Sequence, residues 1–350
     1  MDKYLVTGAC GFTGSHICDI LNEREIPFRA TDLESANRQW LPAGTEFVAS
    51  DLTKSETLKP VLEGINIVLH PAAIFDWWAS EEQLNAVNVT GMENLCAASK
   101  AAGVKRLVSW STSGVYGDQK FDKLPICEDY PAKPMDKYSI SKHRQDKIAL
   151  RYCCEEGLET SVVRPGIVYG PRSKYGAMQF FEGLSLTPIV PVPFNFDKYQ
   201  LGTVHARDIA GAGIFVATKP EAVGQMYGVV DGSGVTIAQF LRYIAAAMDK
   251  PTIPIYVPPM LARHGGLLVA DILAVISKNI TKKRPMVEKE PISFFPTSLE
   301  ISNQKIRDLG YKFEYPDPRI GVIETVDWMR AEGLMDITII DKLKSEFTPA

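Results

Sequence analysis

The chain has 350 residues, 45% of them hydrophobic and 23% charged, a balance that buries a large core and excludes an intrinsically disordered protein. Its net charge of −4, with Lys and Arg scattered among the acids, lacks the basic footprint of nucleic-acid binding, so no nucleic-acid partner is expected. The six cysteines hold no CxxC pair and the five histidines no HExxH or Cys/His cluster, which predicts a reduced, cytoplasmic setting and no metal.

Met1 leads almost at once into Tyr4, Leu5 and Val6, without a basic leader, so no signal peptide is expected. Short β-branched runs then alternate with longer helical patterns, the signature of parallel strands joined by crossover helices. Strands are predicted at Lys3 to Thr7, Phe28 to Thr31, Glu46 to Ala49, Ile65 to His70, Arg106 to Ser111 and Thr160 to Arg164. Helices are predicted near Thr13 to Arg24, Glu82 to Ala102 and Met135 to Glu156. The fold class is therefore α/β, a Rossmann-type doubly wound parallel sheet. From Gly170 prolines cluster, aromatics increase, and helices near Ile237 to Met248 and Pro259 to Lys278 follow without regular strands. This predicts a dinucleotide-binding domain over 1–172, rejoined by 203–231, and a smaller, mostly helical substrate domain over 173–350. The longest apolar stretch, Leu261 to Ile276, falls short of the roughly 20 residues that span a bilayer and is broken by Arg263, His264 and Asp271.

Directly after the first strand comes TGACGFTG, with Gly8, Gly11 and Gly14 at three-residue spacing before a helix. Glycines in that context allow a tight turn and close approach of backbone to a pyrophosphate, which the helix N-terminus then faces. Asp32, at the end of the second strand, is placed to accept from ribose hydroxyls and to repel a 2′-phosphate, favouring NAD over NADP, with Arg38 nearby as the contrary sign. Tyr138 and Lys142 occur as YSISK, and four-residue spacing puts both on one helix face. A phenol titrates near ~10, so acting as a base near neutrality needs about 4 kcal/mol of help. A cation at ~4 Å in a partly desolvated site supplies help of that order, so Lys142 beside an oxidised nicotinamide is enough in principle.

These motifs occur in a fixed order: TGACGFTG, Asp51 after a strand, HPAA at His70 to Ala73, NVTGMENL from Asn88, STSGVYG from Ser111, YSISK, and RPGIVYGP from Arg164. In that order and context the chain resembles the extended short-chain dehydrogenases over at least its first 230 residues. It is most similar to the branch that holds 3β-hydroxysteroid dehydrogenases and dihydroflavonol reductases. The resemblance implies an NAD-dependent enzyme in which Thr112 hydrogen-bonds the substrate oxygen, Tyr138 exchanges a proton and Lys142 holds the ribose; Ser111 and Ser113 offer neighbouring hydroxyls. It implies a cofactor site of Gly8, Gly11, Phe12, Thr13, Gly14, Asp32, Asp51, Leu52, Ala72, Ala73, Pro165 and Val168, together with Tyr138 and Lys142. It also implies a homodimer through Glu82 to Ala102 and Met135 to Glu156. Asn88 reads equally as an amide beside the site or on the helix surface. His70 reads as strand-end packing, and His205 carries no catalytic role.

The substrate expected is a small hydrophobic molecule carrying a secondary alcohol or ketone. RPGIVYGP lacks the asparagine, and FNFDKYQLGTVHARD the early arginine, that nucleotide-sugar enzymes of this kind commonly carry, leaving two phosphate charges without a bidentate partner. Ile74, Phe75, Trp77 and Trp78, with Phe180, Phe181, Phe194 and Phe196, stand in their place as prospective apolar walls. A nucleotide-sugar 4-epimerase or dehydratase is the alternative, and a dinucleotide sensor has no need of the catalytic residues. The segment from Pro259 to Arg284 reads as a lid or core helix, favoured over peripheral contact with a membrane surface.

Overall fold

The fold was obtained as a computed structural model that describes residues 1–117, 123–277, 289 and 297–335. They cluster into two compact units, the first drawn from Met1–Gly166, Val204–Val230 and Ile301–Glu314, the second from Ile167–Thr203, Asp231–Glu300 and Tyr315–Ala350. The return of 301–314 to the first unit was not foreseen from the sequence. It rests on long-range contacts: Ser302 N donates to Ile126 O at 2.8 Å, and Glu314 N donates to Asp208 Oδ1 at 2.7 Å.

In chain order the first unit opens with β1 (Tyr4–Thr7), α1 (Phe12–Glu23), β2 (Phe28–Thr31), β3 (Glu46–Phe47), α2 (Leu58–Leu62) and β4 (Ile67–His70). There follow α3 (Glu81–Leu84), a π-helical turn at Asn85–Thr90, α4 (Gly91–Ala101), β5 (Arg106–Trp110), α5 (Lys137–Glu156) and β6 (Glu159–Pro165). The second unit begins with β7 (Ile167–Tyr169), α6 (Met178–Ser185) and β8 (Val190–Pro193). After β9 (Thr203–His205), α7 (Ala206–Ala217) and β10 (Met226–Val229) belong to the first unit. The second resumes with α8 (Ile237–Ala247), β11 (Thr252–Ile255) and α9 (Pro259–Ile276); α10 (Gln304–Asp308) lies in the first and α11 (Pro318–Ala331) in the second.

In the first unit seven parallel strands form one sheet in the order β10-β6-β5-β4-β1-β2-β3. Their apolar runs are near-continuous because both faces are covered, as a parallel sheet requires. On one face Leu58, Met92, Leu95 and Ala149 from α2, α4 and α5 pack against Leu5, Val68 and Leu107. On the other, α7 packs against α1 and lies over β4, β5 and β6. The apolar stripe of α4 is spent in this core, while its outer edge meets α5 through Arg151 on Glu93 and Lys100 on Glu156. The chain winds one way from β1 to β2 and the other from β1 to β4, so the sheet's switch point lies at the C-terminal ends of β1 and β4, where α/β proteins bind ligands.

The second unit is more than helical: β8 and β11 pair in parallel, a correction to the expectation of no regular strands. Proline-rich VPVP and TIPI mask that signal, since proline removes ladder donors and marks edge strands. Its core joins Phe181, Phe240, Val322 and Val326 from α6, α8 and α11 around Tyr169. Among the described residues no helix is long and apolar enough to cross a membrane, and no group of three or more His, Cys, Asp or Glu is placed to hold a metal.

Candidate active site

The glycine loop closes tightly at the switch point. Gly11 N donates to Gly8 O at 3.0 Å, turning the chain straight into α1, whose N-terminus no side chain caps. Gly8 sits at φ +58, and a Cβ there would lie 2.9 Å from Ala72 Cα, so the loops after β1 and β4 touch only because Gly8 has no side chain. A Cβ on Gly14 would collide with the carbonyl oxygen of Gly8. Phe12 and Thr13 open α1, so its uncapped first turn forms a cradle suited to a pyrophosphate.

Asp32 follows β2 and accepts from Cys10 N at 3.0 Å, which sets the carboxylate beside the glycine loop. Arg38, the one sign toward a 2′-phosphate, is engaged on Glu34 Oε1 at 2.9 Å and stacked 3.8 Å over the Phe47 ring. Asp51 Oδ1 accepts from Thr53 Oγ1 at 2.7 Å and Thr53 N at 2.9 Å, bonds that hold its carboxyl below the usual range. Leu52 is tied to α4 by Asn94 Nδ2, which donates to its carbonyl at 2.9 Å. Ala73 follows Ala72 in the loop after β4, Pro165 ends β6, and Val168 lies in β7 of the second unit. An uncapped glycine turn, an acid beside it and an occupied arginine are the features a dinucleotide without a 2′-phosphate fits.

Helix α5 begins at an Asp136 cap, whose Oδ1 accepts from Ser139 N at 2.9 Å, so Tyr138 stands in the first turn. Lys142, one turn later, is 1% exposed. Burial pulls its ammonium down to about 8 against the opposing charge of Asp146. Burial likewise raises the Tyr138 phenol above its ordinary value, and the carboxylates of Asp136 and Asp146 push the same way. Burial and the two carboxylates thus favour the protonated phenol, and positive charge close by is what makes a base of Tyr138.

The three hydroxyls after β5 have different fates. Ser111 Oγ donates to Asp146 Oδ2 at 2.7 Å, inside a buried ion pair in which Arg164 Nη2 reaches the same oxygen at 2.9 Å. Ser113 is buried. Thr112 is half-buried and its Oγ1 accepts from Gly114 N at 3.1 Å, which orients the oxygen and leaves its proton to donate. Asn88 is fully buried, not on a helix surface. Its side chain brackets the Ile74 backbone, accepting from N at 2.8 Å and donating to O at 3.1 Å, and donates to Ser141 Oγ at 3.0 Å. The loop after β4 is thereby fixed to α5. The π-helical turn that carries Asn88 interrupts the single helix predicted over Glu82 to Ala102. That loop places the Phe75 ring 4.8 Å from Tyr138 and 5.2 Å from Trp77.

His70 is buried with Nδ1 2.8 Å from Thr7 Oγ1 and, among the described residues, no partner at Nε2; burial first, then Lys142, pushes it down to about 3, so it is neutral. His205 accepts from Arg207 N at 3.4 Å and caps α7. Among the second-unit aromatics, Phe181 and Phe196 are core and Phe180 packs against it, correcting their reading as substrate walls. Phe194 is half exposed against Tyr256. Sequence reasoning passed over Gln145, whose Oε1 accepts from Lys142 Nζ at 2.6 Å; only its i+3 spacing from Lys142 pointed there.

A model of the NAD dependent epimerase/dehydratase family matches residues 4–229. The chain belongs to that family. Like other members it is an NAD-dependent enzyme of the extended short-chain dehydrogenase type. It is 27% identical over 342 residues to dihydroflavonol 4-reductase of Zea mays, covering 89% of this chain and 84% of that one. It is 26% identical over 370 residues to 3 beta-hydroxysteroid dehydrogenase type 7 of Mus musculus, covering 94% and 95%. UDP-glucose 4-epimerase of Vibrio cholerae is 26% identical over 261 residues, covering 73% and 78%. The solved UDP-glucose 4-epimerase of Thermus thermophilus, complexed with NAD, aligns with TM-score 0.69 at 25% identity, over 94% of this chain and 99% of that one.

Proposed function

We propose that this family member is an oxidoreductase that interconverts a secondary alcohol and a ketone on a hydrophobic, cyclic or sterol-like substrate. The observation that carries the reading is the Phe75 ring laid 4.8 Å from Tyr138, backed by Trp77, an apolar wall beside the proton-carrying phenol. Sequence similarity to a dihydroflavonol 4-reductase and a 3 beta-hydroxysteroid dehydrogenase supports it, those matches covering 89% and 94% of this chain against 73% for the Vibrio cholerae epimerase.

In this reading Tyr138 takes the hydroxyl proton, Thr112 donates to the substrate oxygen, and Lys142 holds the ribose while its charge favours the phenolate. When bound, NAD supplies the hydride acceptor and a positive nicotinamide ring. Asp32 would accept from the adenosine ribose, the Gly8 to Gly14 turn would cradle the pyrophosphate, and Asp51, Leu52, Ala72, Ala73 and Pro165 would complete the surroundings that the first unit offers the cofactor. A homodimer through α4 and α5 belongs to the same reading; a monomer mass by light scattering removes it.

The test is thermal unfolding of the NAD-loaded protein with a panel of sterols, cyclic ketones and UDP-sugars, since a ligand that binds only the folded state raises Tm by mass action. Protection by sterols or ketones and none by UDP-sugars is expected. Protection by UDP-sugars alone replaces the reading with a nucleotide-sugar 4-epimerase or dehydratase.

A further inference from the structure

A buried ammonium needs a fixed acceptor, and an amide supplies one only if its two ends are told apart. Among the described residues, Gln145 Oε1 is the one hydrogen-bond acceptor of Lys142 Nζ, at 2.6 Å. Gln145 is itself fully buried, and its other end donates to Ser109 Oγ at 2.8 Å and Trp110 O at 3.5 Å on β5. The Trp110 carbonyl only accepts, so Nε2 faces the strand and Oε1 faces the lysine; the reverse orientation sets carbonyl against carbonyl and an amide against an ammonium. One of the three ammonium protons is thus committed, and two are left for ribose hydroxyls.

We propose that Gln145 is the positioning residue of Lys142, fixing the ammonium for the cofactor ribose by bridging it to Ser109 of β5. The inference rests on the role given to Lys142 under the proposed function. Neutrality is the feature that suits glutamine to the task. A carboxylate at that place would hold the cation as firmly but cancel its field at Tyr138. The carboxylate already nearby, Asp146, is answered by Arg164 of β6 and by Ser111. Among the described residues, the neutral His70 of β4 also faces the lysine's charge, and Tyr138 stands one turn before it on α5.

The experiment is a double-mutant cycle read by NAD affinity in titration calorimetry, with wild type, Gln145→Met, Lys142→Met and the double variant. Methionine keeps length and volume and deletes the acceptor. Gln145→Met is expected to raise the NAD Kd about tenfold, as loss of a hydrogen bond to a charged group does. The same change in the Lys142→Met background should do nothing. Equal effects in both backgrounds, or wild-type affinity in Gln145→Met, overturn the proposal. Should Gln145→Met fail to fold, Ser109→Ala frees the far end of the amide and must weaken NAD binding only when Lys142 is present. Absence of NAD binding by the wild-type chain strikes the proposed function itself, and so is told apart from an additive cycle.

Discussion

The helices α5 and α9 invert the ordinary rule of burial in opposite senses. Helix α5 hides polar groups: Ser139, Ser141, Lys142, Gln145 and Asp146 are all buried. Helix α9 exposes apolar ones, with Leu261 64%, Leu268 62%, Ile272 52% and Val275 61% accessible. The expectation there was a lid or core helix; the apolar stripe faces outward with Ala270 turned in, which corrects the core-helix reading alone. Lys278, Lys282, Lys283 and Arg284, which follow it in sequence, lie outside the described residues. The contrast separates two kinds of anomaly. A buried polar group is costly and as a rule carries a partner, and every one named on α5 except Lys142 has a bond to another element or to its own helix start. An exposed leucine carries little cost and demands no partner.

Substitutions on the two helices sharpen that contrast. Tyr138→Phe keeps the ring against Phe75 and deletes the proton carrier, so steady-state turnover should fall about 10³-fold while NAD affinity is unchanged. Retention of near wild-type turnover with hydride transfer rate-limiting removes Tyr138 from the mechanism. Asp146→Asn breaks the buried pair with Arg164 and should lower stability by about 3 kcal/mol in urea titrations, the cost of a buried charge left without its partner. A loss near zero would mean the pair is structurally idle.

The third substitution concerns pH. The folded-state pKa of Lys142, about 8, lies below its ordinary value of 10.5, so the unfolded chain binds the extra proton between those two values. The burden on the folded state is full below pH 8 and is relieved as pH rises toward 10.5, so stability attributable to this residue increases with pH across that window. In Lys142→Met the increase disappears; parallel stability-pH curves for the two proteins would refute it. The smallest effect belongs to α9, where Leu268→Gln and Ile272→Gln should each change stability by about 0.5 kcal/mol or less. A loss of several kcal/mol would show that the stripe is covered in solution.

Local signals made much of this legible. The glycine turn, the acid ending β2 and the YSISK pair depend on neighbours within a few residues, and the spacing that encodes them is the spacing that builds them. Asn88 stayed ambiguous because its partners, Ile74 and Ser141, stand 14 and 53 residues away. Gln145 was missed for the same reason, its meaning residing in Ser109 across 36 residues. The phenylalanines of the second unit were misjudged because residue type alone does not tell a core ring such as Phe181 from a wall.

Net oxidation of a hydrophobic alcohol is read from the growth of reduced-nicotinamide absorbance. The wild-type protein is mixed with excess NAD and, in parallel, a 3-hydroxysterol, a cyclic secondary alcohol and UDP-glucose. An epimerase returns its hydride to the same substrate and accumulates no NADH, whereas a dehydrogenase releases NADH turnover after turnover. Sustained NADH formation is expected with the sterol or cyclic alcohol and none with UDP-glucose. Conversion of UDP-glucose to its 4-epimer without NADH, alongside inert alcohols, would contradict it.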